Sequence, residues 1–261
     1  MANPNIPLVS VIMPAYNAAA TIAESISSVL AQTYQLWELI IVNDASTDNT
    51  WEIITNFAKE DSRVIIYTNR HNSGVAATRN VAMEKARGKY FAFLDSDDLW
   101  LPQKLDKQLR FMQEANAMIS YTATSYINTA GQMSGHILRA ERNLSYKQLL
   151  RMNLMSCSSV MVCCDVMRPF PSSIMHEDYA VWLHILKEVN QAHGLDEPLL
   201  VYRMGSNSKS ANRINSAVMI YRTYRHISCG IIKSFFYTLR YAQHSITKRA
   251  LIKFEAKEGS I

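Results

Sequence analysis

The feature that most constrains this sequence is an alternation. Within about ninety residues, four short apolar runs rich in β-branched side chains are interleaved with stretches of helical periodicity. Residues 8–13 (LVSVIM) are a continuous apolar run closed by Pro14. A run without polar–apolar alternation suits a strand covered on both faces, as in a parallel sheet. Residues 21–32 place Ile22, Ile26, Val29 and Leu30 on one helical stripe. Residues 39–42 give a second strand closing at Asn43-Asp44, and 48–59 a helix with apolar Trp51, Ile54 and Phe57. Residues 63–67 give a third strand and 74–86 a third helix, with Gly88 placed to cap it. Residues 90–94 form a fourth strand that runs straight into Asp95.

Strand–helix alternation of this kind predicts βαβ units and a mostly parallel, doubly wound α/β sheet flanked by helices. Ligands of such sheets sit beyond the carboxyl ends of the strands. Tyr16, Asn17, Asn43, Asp44, Asp95 and Asp97 are therefore the first functional candidates. The second half is less regular. Residues 117–127 and 132–138 read as strands around a turn at Gly131. Residues 159–163 and 199–202 read as further short strands, 177–189 as a helix, and the chain from 215 onward as helical. With 261 residues, 48% of them hydrophobic, the length fits one large domain, residues 1–210, followed by a helical extension, 211–261.

Several function classes drop out early. The N-terminus lacks the basic and apolar regions of a secretory signal, and no run is long enough to span a membrane. Cys157, Cys163, Cys164 and Cys229 form no C-x-x-C pair and read as reduced thiols of a cytoplasmic protein, with a zinc site disfavoured. The histidines show no H-x-x-x-H spacing, Ser158 and Ser159 lack a nucleophile-elbow setting, and there is no glycine-rich phosphate loop.

The strongest chemistry lies in Asp95-Ser96-Asp97-Asp98, three carboxylates in four residues beyond the apolar FAFL run. Alternate aspartates in a loop after a strand can converge on a hard cation. Mn²⁺ or Mg²⁺ so held prefers carboxylate and phosphate oxygens and commonly bridges a nucleotide diphosphate. A competing role is structural, with Asp98 opening the helix that carries Leu105, Leu109 and Met112 and has Pro102 in its first turn. Asp97 is the better metal candidate and Asp98 the better structural one.

This loop stands in ordered company: SVIMPAYN at 10–17, VNDASTD at 42–48, NSGVAATRN at 72–80, FLDSDD at 93–98 and HEDYAVWL at 176–183. The set resembles the inverting glycosyltransferases of family 2, which have the GT-A fold, over about residues 8–210. The resemblance implies that Pro14, Ala15 and Tyr16 line the nucleoside pocket, with Tyr16 against the base, and that Asp44 accepts a hydrogen bond from uracil. The alternative for Asp44 is an Asx-type turn. Arg79 reads as a phosphate partner or as a solvated helix arginine. Asp97 and Asp95 would hold the metal, Asp95 more indirectly, with Ser96 beside the donor. Asp178 would be the general base, Glu177 an acidic helix start, and Trp182 an acceptor wall or core residue. Many relatives carry a histidine after the Tyr-Arg pair. Here Tyr202-Arg203 leads into MGSNSK, so a third protein ligand to the metal is in doubt, and Arg203, Ser208 and Lys209 are candidates for a phosphate-facing lid.

The net charge of +5 is uneven. Residues 205–261 carry ten Lys/Arg and two Asp/Glu, or +8, leaving −3 for the rest. Aromatic and basic residues interleave at Tyr221, Arg222, Tyr224, Arg225, Lys233, Phe235, Phe236, Tyr237, Arg240 and Tyr241. Residues 215–255 can thus lie on an anionic lipid surface at the inner leaflet, or pack as a helical extension with a solvated basic face. Nucleic acid is a poorer partner because the body is acidic. The resemblance implies transfer of glucose or galactose from a UDP-sugar to a polyprenyl-diphosphate-linked glycan, for O-antigen, lipopolysaccharide or capsule. The rival classes are a non-catalytic nucleotide-sugar scaffold and a nucleotidyltransferase, the latter requiring a glycine-rich basic loop that PAYNA at 14–18 does not supply.

Overall fold

A computed structural model describes residues 7–172, 176–205 and 213–252. The first half is the expected alternation: β1 (Val9–Ala15), α1 (Ile22–Leu30), β2 (Trp37–Asn43), α2 (Thr50–Glu60), β3 (Val64–Thr68), α3 (Val75–Lys85) and β4 (Tyr90–Phe93). Then come β5 (Leu99–Trp100), α4 (Lys104–Glu114), β6 (Ile119–Asn128), β7 (Met133–Leu138), β8 (Asn143–Ser145) and α5 (Tyr146–Arg151). The chain continues through β9 (Val160–Cys163), α6 (Glu177–Val189), β10 (Gln191–Met204), α7 (Arg213–His226) and α8 (Ile231–Leu251).

The strands form one sheet in the order β3-β2-β1-β4-β9-β6-β10-β5, with β7 added beside β6 and β8 beside β10. β3, β2, β1 and β4 are mutually parallel. Beyond β4 the sheet becomes mixed: β9 is antiparallel to both β4 and β6, while β10 returns parallel to β6. Both faces are covered, which is why residues 9–15 are buried throughout. Val9, Val11 and Met13 pack on the side of α1 and α4, and Ile12 on the side of α5, α6 and α7. Pro14 fits because pairing of β1 with β4 has ended at Ile12, so the missing N–H breaks no ladder there.

Two local expectations are corrected. Gly88 does not cap α3, whose last turn ends at Ala86 in extended backbone. A Cβ at Gly88 would come within 2.6 Å of the Ser10 backbone nitrogen, so glycine is there to let the chain cross β1 closely. Asp98 does not open a helix: β5 follows it and α4 begins only at Lys104. The expected boundary near residue 210 falls outside the described residues. Past it, Ile220 and Tyr224 of α7, and Ile227 just after it, belong to the same buried cluster as α6.

Candidate active site

Because β1, β2 and β4 are parallel, their carboxyl ends share one edge. The register puts Ala15 beside Asn43 and Ile12 beside Phe93. The chain leaves β1 and β2 in two interlocked turns. Asn17 N–H donates to Ser46 Oγ at 3.0 Å, and Thr47 N–H to Asn17 Oδ1 at 2.8 Å. Asn17 and Ala45 both take left-handed backbone, with φ of 47° and 56°. For Ala45, which carries a Cβ, that conformation is a local cost which the interlocking must hold in place. Within the YN pair, Tyr16 is 49% exposed, whereas Pro14 and Ala15 are buried beneath it.

Asp44 is buried and makes three hydrogen bonds. Oδ1 accepts from Asn69 Nδ2 (2.7 Å) and Ser73 N (2.9 Å), and Oδ2 accepts from Gly74 N (2.8 Å). It ties β2 to the start of α3 and leaves one acceptor position of its four on Oδ2. The Asx-type turn after β2 belongs to the neighbouring Asn43, whose Oδ1 accepts from Ser46 N at 3.3 Å.

The loop after β4 is held from four elements. Thr21 Oγ1, just before α1, donates to the Ser96 carbonyl at 2.9 Å. Ser158 Oγ, ahead of β9, accepts from Asp95 N (3.0 Å) and donates to Asp98 Oδ2 (2.6 Å). Arg203 of β10 donates from its backbone N to Asp98 Oδ1 (3.0 Å), from Nε to the Asp97 carbonyl (2.9 Å) and from Nη2 to Glu24 (2.5 Å). Arg79 of α3 holds Asp95 Oδ1 at 2.5 Å. Asp98 is thus a buried post for the loop, and burial, then the charges of Asp97 and Asp95, raise its carboxyl well above the usual range. Asp97 turns outward, yet desolvation by the loop packed around it, and then the charge of Asp95, push its carboxyl up to about 6.

Arg79 is neither a solvated arginine nor positioned as a free phosphate partner. It is 3% exposed, and its second Nη bonds Glu177 Oε1 at 2.8 Å. One guanidinium therefore joins the loop after β4 to the first residue of α6. Glu177 is correspondingly a buried ion-pair partner and does more than start a helix. The next residue, Asp178, accepts from Tyr179 N at 2.8 Å. Burial first raises its carboxyl, with the nearby Arg79 charge opposing and Asp95 adding to the rise. A carboxyl so raised is better matched to taking a proton near neutral pH than a solvated aspartate is. Trp182 is core: it is fully buried and packs on Phe93 and Phe170 at 5.5 and 6.0 Å.

The structure therefore brings Asp95, Asp97, Asp178, Arg79 and Arg203 to one sheet edge, with Tyr16 and Asp44 at the adjoining strand ends. Sequence reasoning missed Thr21, Asn69, Ser158 and Glu177 as the residues that hold these groups. Only Glu177, an acid beside the candidate base, left a trace in the sequence. Ser208 and Lys209 lie outside the described residues. The one grouping of three or more His, Cys, Asp or Glu ligand atoms within 4.8 Å of one another among the described residues is Cys163, Cys164 and Asp165, at the far end of β9; the Asp95–Asp97 loop offers two carboxylates.

The glycosyl transferase family 2 model matches residues 10–177, from β1 to the first residue of α6. The chain is similar to the putative teichuronic acid biosynthesis glycosyltransferase TuaG of Bacillus subtilis, 38% identical over 246 residues, 93% of this chain and 98% of that one. It is 35% identical over 254 residues, 97% of this chain and 98% of the other, to the Escherichia coli UDP-Glc:alpha-D-GlcNAc-diphosphoundecaprenol beta-1,3-glucosyltransferase WfgD. Among solved structures, Staphylococcus aureus TarS 1-349 in complex with UDP-GlcNAc superposes with a TM-score of 0.69 at 18% identity, over 92% of this chain and 72% of that one. The mannosyltransferase PcManGT of Pyrobaculum calidifontis, in complex with GDP-Man and Mn²⁺, gives 0.70 at 18% identity over 99% and 77%. At that identity the two structures establish the GT-A fold.

Proposed function

The chain belongs to glycosyl transferase family 2, and from that premise we propose that it transfers a hexose, glucose or galactose, from a UDP-sugar to a glycan carried on a polyprenyl diphosphate, with inversion at the anomeric carbon. One observation carries the reading: Arg79 fastens the Asp95–Asp97 loop to the Asp178 end of α6. Donor and acceptor chemistry thereby fall at one place. The named activity of WfgD, and of the similar WfaP, supports a UDP-glucose donor and a lipid-linked acceptor, and the teichuronic acid biosynthesis in TuaG's name supports a role in bacterial surface polysaccharide synthesis.

The donor set suits Mn²⁺ or Mg²⁺. Asp97 offers an outward carboxylate, and Asp95 keeps an oxygen beyond the one held by Arg79. When bound, such a cation neutralises charge on the departing diphosphate. Tyr16 presents its ring to the base, with Pro14 and Ala15 as the floor under it. The remaining acceptor position of Asp44 takes the uracil imide N–H. Ser96 sits beside the diphosphate, and Arg203 fixes the loop that carries it. Asp178 removes the proton from the acceptor hydroxyl as that oxygen bonds to the anomeric carbon and the bond to UDP breaks.

Asp178→Asn keeps the shape and removes the base. UDP affinity is expected to persist while turnover falls by about 10²–10⁴. Unchanged turnover would remove the assignment. Incubation with a GlcNAc-diphosphate lipid and a panel of UDP-sugars tests the donor, and transfer from neither UDP-glucose nor UDP-galactose would overturn that part.

A further inference from the structure

Six large apolar side chains of α8 face outward: Ile231, Ile232, Phe235, Phe236, Leu239 and Ile246, each 52–73% exposed. They are not scattered. At about 100° per residue they fall in an arc of about 140° on the helix. Lys233 and Arg240 lie together along one border of that arc. The opposite side, with Ser234, Tyr237 and Tyr241, is turned inward: Tyr237 packs on Tyr224 at 5.5 Å and Tyr241 on Tyr179 at 6.0 Å. A contiguous exposed apolar face on a docked helix marks a surface that meets something apolar.

The charge pattern selects what that is. No aspartate or glutamate occurs between Glu197 and Glu255. Besides Lys233 and Arg240, α7 presents Arg222 and Arg225 to solvent. A second copy of the chain laid against this face would oppose cation to cation with no acid to pair them. An anionic lipid surface supplies both missing complements, phosphate for the cations and acyl chain for the aromatic and aliphatic groups. Nor is α8 a span, since no helix among the described residues is long and apolar enough to cross a bilayer.

We propose that the outer face of α8 inserts into the headgroup boundary of an anionic membrane, with Phe235, Phe236 and Leu239 as its anchors, and that this holds the Asp178 end of α6 one helix diameter, about 10 Å, behind that surface. The coupling is direct, because Tyr241 packs on Tyr179, the residue after Asp178, and on His176 at 6.3 Å. A rigid helix pair would then present the site to an acceptor that cannot leave the membrane. That last clause rests on the proposed lipid-linked acceptor, whereas the binding does not.

The test is sedimentation of the full chain with two vesicle types, pure phosphatidylcholine and one with about 30% phosphatidylglycerol, at low and high salt. The expected result is binding to the anionic vesicles, weakened by salt. Phe235→Ser with Phe236→Ser is expected to lower partitioning more than tenfold without moving the thermal midpoint, because both rings face away from the core. Lys233→Glu with Arg240→Glu is expected to lower it at least about 25-fold, roughly fivefold for each positive charge lost. Binding indifferent to anionic lipid, or unchanged by both double variants, overturns the proposal. So does lipid-free dimerisation in sedimentation velocity that the Phe235→Ser/Phe236→Ser pair abolishes, which would assign the face to a second copy. Transfer to a short water-soluble acceptor, run in parallel on the same variants, reports on the glycosyltransferase reading separately: its absence with vesicle binding intact removes that reading alone.

Discussion

Arg79→Met is the most informative single change. The arginine is 3% exposed and its two terminal nitrogens each hold a carboxylate, at 2.5 Å from Asp95 and 2.8 Å from Glu177. Methionine fills most of the volume but leaves both acids without their shared cation. The Glu177 side chain is 7% exposed, so solvent relieves it little, whereas Asp95 at 31% is partly screened. Breaking a buried pair from one side costs about 3–5 kcal/mol, and nearly all of that is assigned here to Glu177. Against a total stability of about 5–15 kcal/mol, the loss is a fifth or more, or a fall in Tm on the order of 10 °C. Arg79→Lys is expected to recover little, because one ammonium cannot present the planar fork that bridges two carboxylates. Chemical unfolding of the variant, of Glu177→Gln and of the double variant measures the coupling. The double variant should lie within about 1 kcal/mol of Glu177→Gln alone. Additive losses, or a single-variant cost under about 1 kcal/mol, would refute the view that Arg79 exists to hold these two acids together.

Two other outcomes follow from titrating groups. The Asp97 carboxyl, pushed up to about 6, keeps its proton where an unfolded aspartate, near about 4, has lost it. Its contribution to stability therefore falls as pH rises through that window, and a cation bound below pH 6 must displace a proton. Calorimetric titration with Mn²⁺ is expected to show affinity about fivefold weaker at pH 5 than at pH 6, with about one proton released at pH 5, and little change above pH 7. Equal affinity from pH 5 to 7 would refute it. Lys104 is fully buried, bonded to Gln108 at 2.7 Å and set over the Trp100 ring at 4.1 Å, and burial lowers its pKa well below the usual lysine value. Unfolding then takes up a proton at all pH between the depressed folded value and about 10.4, so stability should climb with pH by about 1.4 kcal/mol per unit there. Lys104→Met should flatten that slope in urea unfolding at pH 7, 8 and 9. An identical slope would place a counter-charge on Lys104.

The parallel half of the fold is legible because its central strands β1 and β2 are covered on both faces, so residues 11–13 and 39–42 read as unbroken apolar runs. The helix at Glu177–Val189 is legible for a similar reason: its inward positions repeat over more than three turns. β8 and α5 are not legible. Asn143–Ser145 is too short to show a period, and α5 announces itself only by the Ser145–Gln148 capping box. At the candidate site, Asp44, Asp95 and Asp97 stand out in the sequence as polar residues just beyond strands, a rule that does not reach Asp178 in α6 or Arg79 in α3. Their holders are not. Ser158 meets Asp95 and Asp98 across about sixty residues, and Arg79 meets Glu177 across 98, separations that no local spacing encodes.

Those same holders bear on the metal. Around the strand ends, Asp95, Asp97, Glu177 and Asp178 carry negative charge, and the structure sets two arginines against them. Arg79 is already bonded to Asp95 and Glu177, and Arg203 is bonded to Glu24 and to the Asp97 carbonyl. Neither has a free fork to offer a diphosphate without releasing a carboxylate into a poorly solvated setting. Bringing two more phosphate charges to this edge therefore calls for positive charge beyond these two committed arginines. A divalent cation on Asp97 meets that need and at the same time relieves the crowding with Asp95. On this view donor and metal bind as one unit: UDP affinity should drop steeply in chelator, and Arg79→Met should weaken the metal and the nucleotide together.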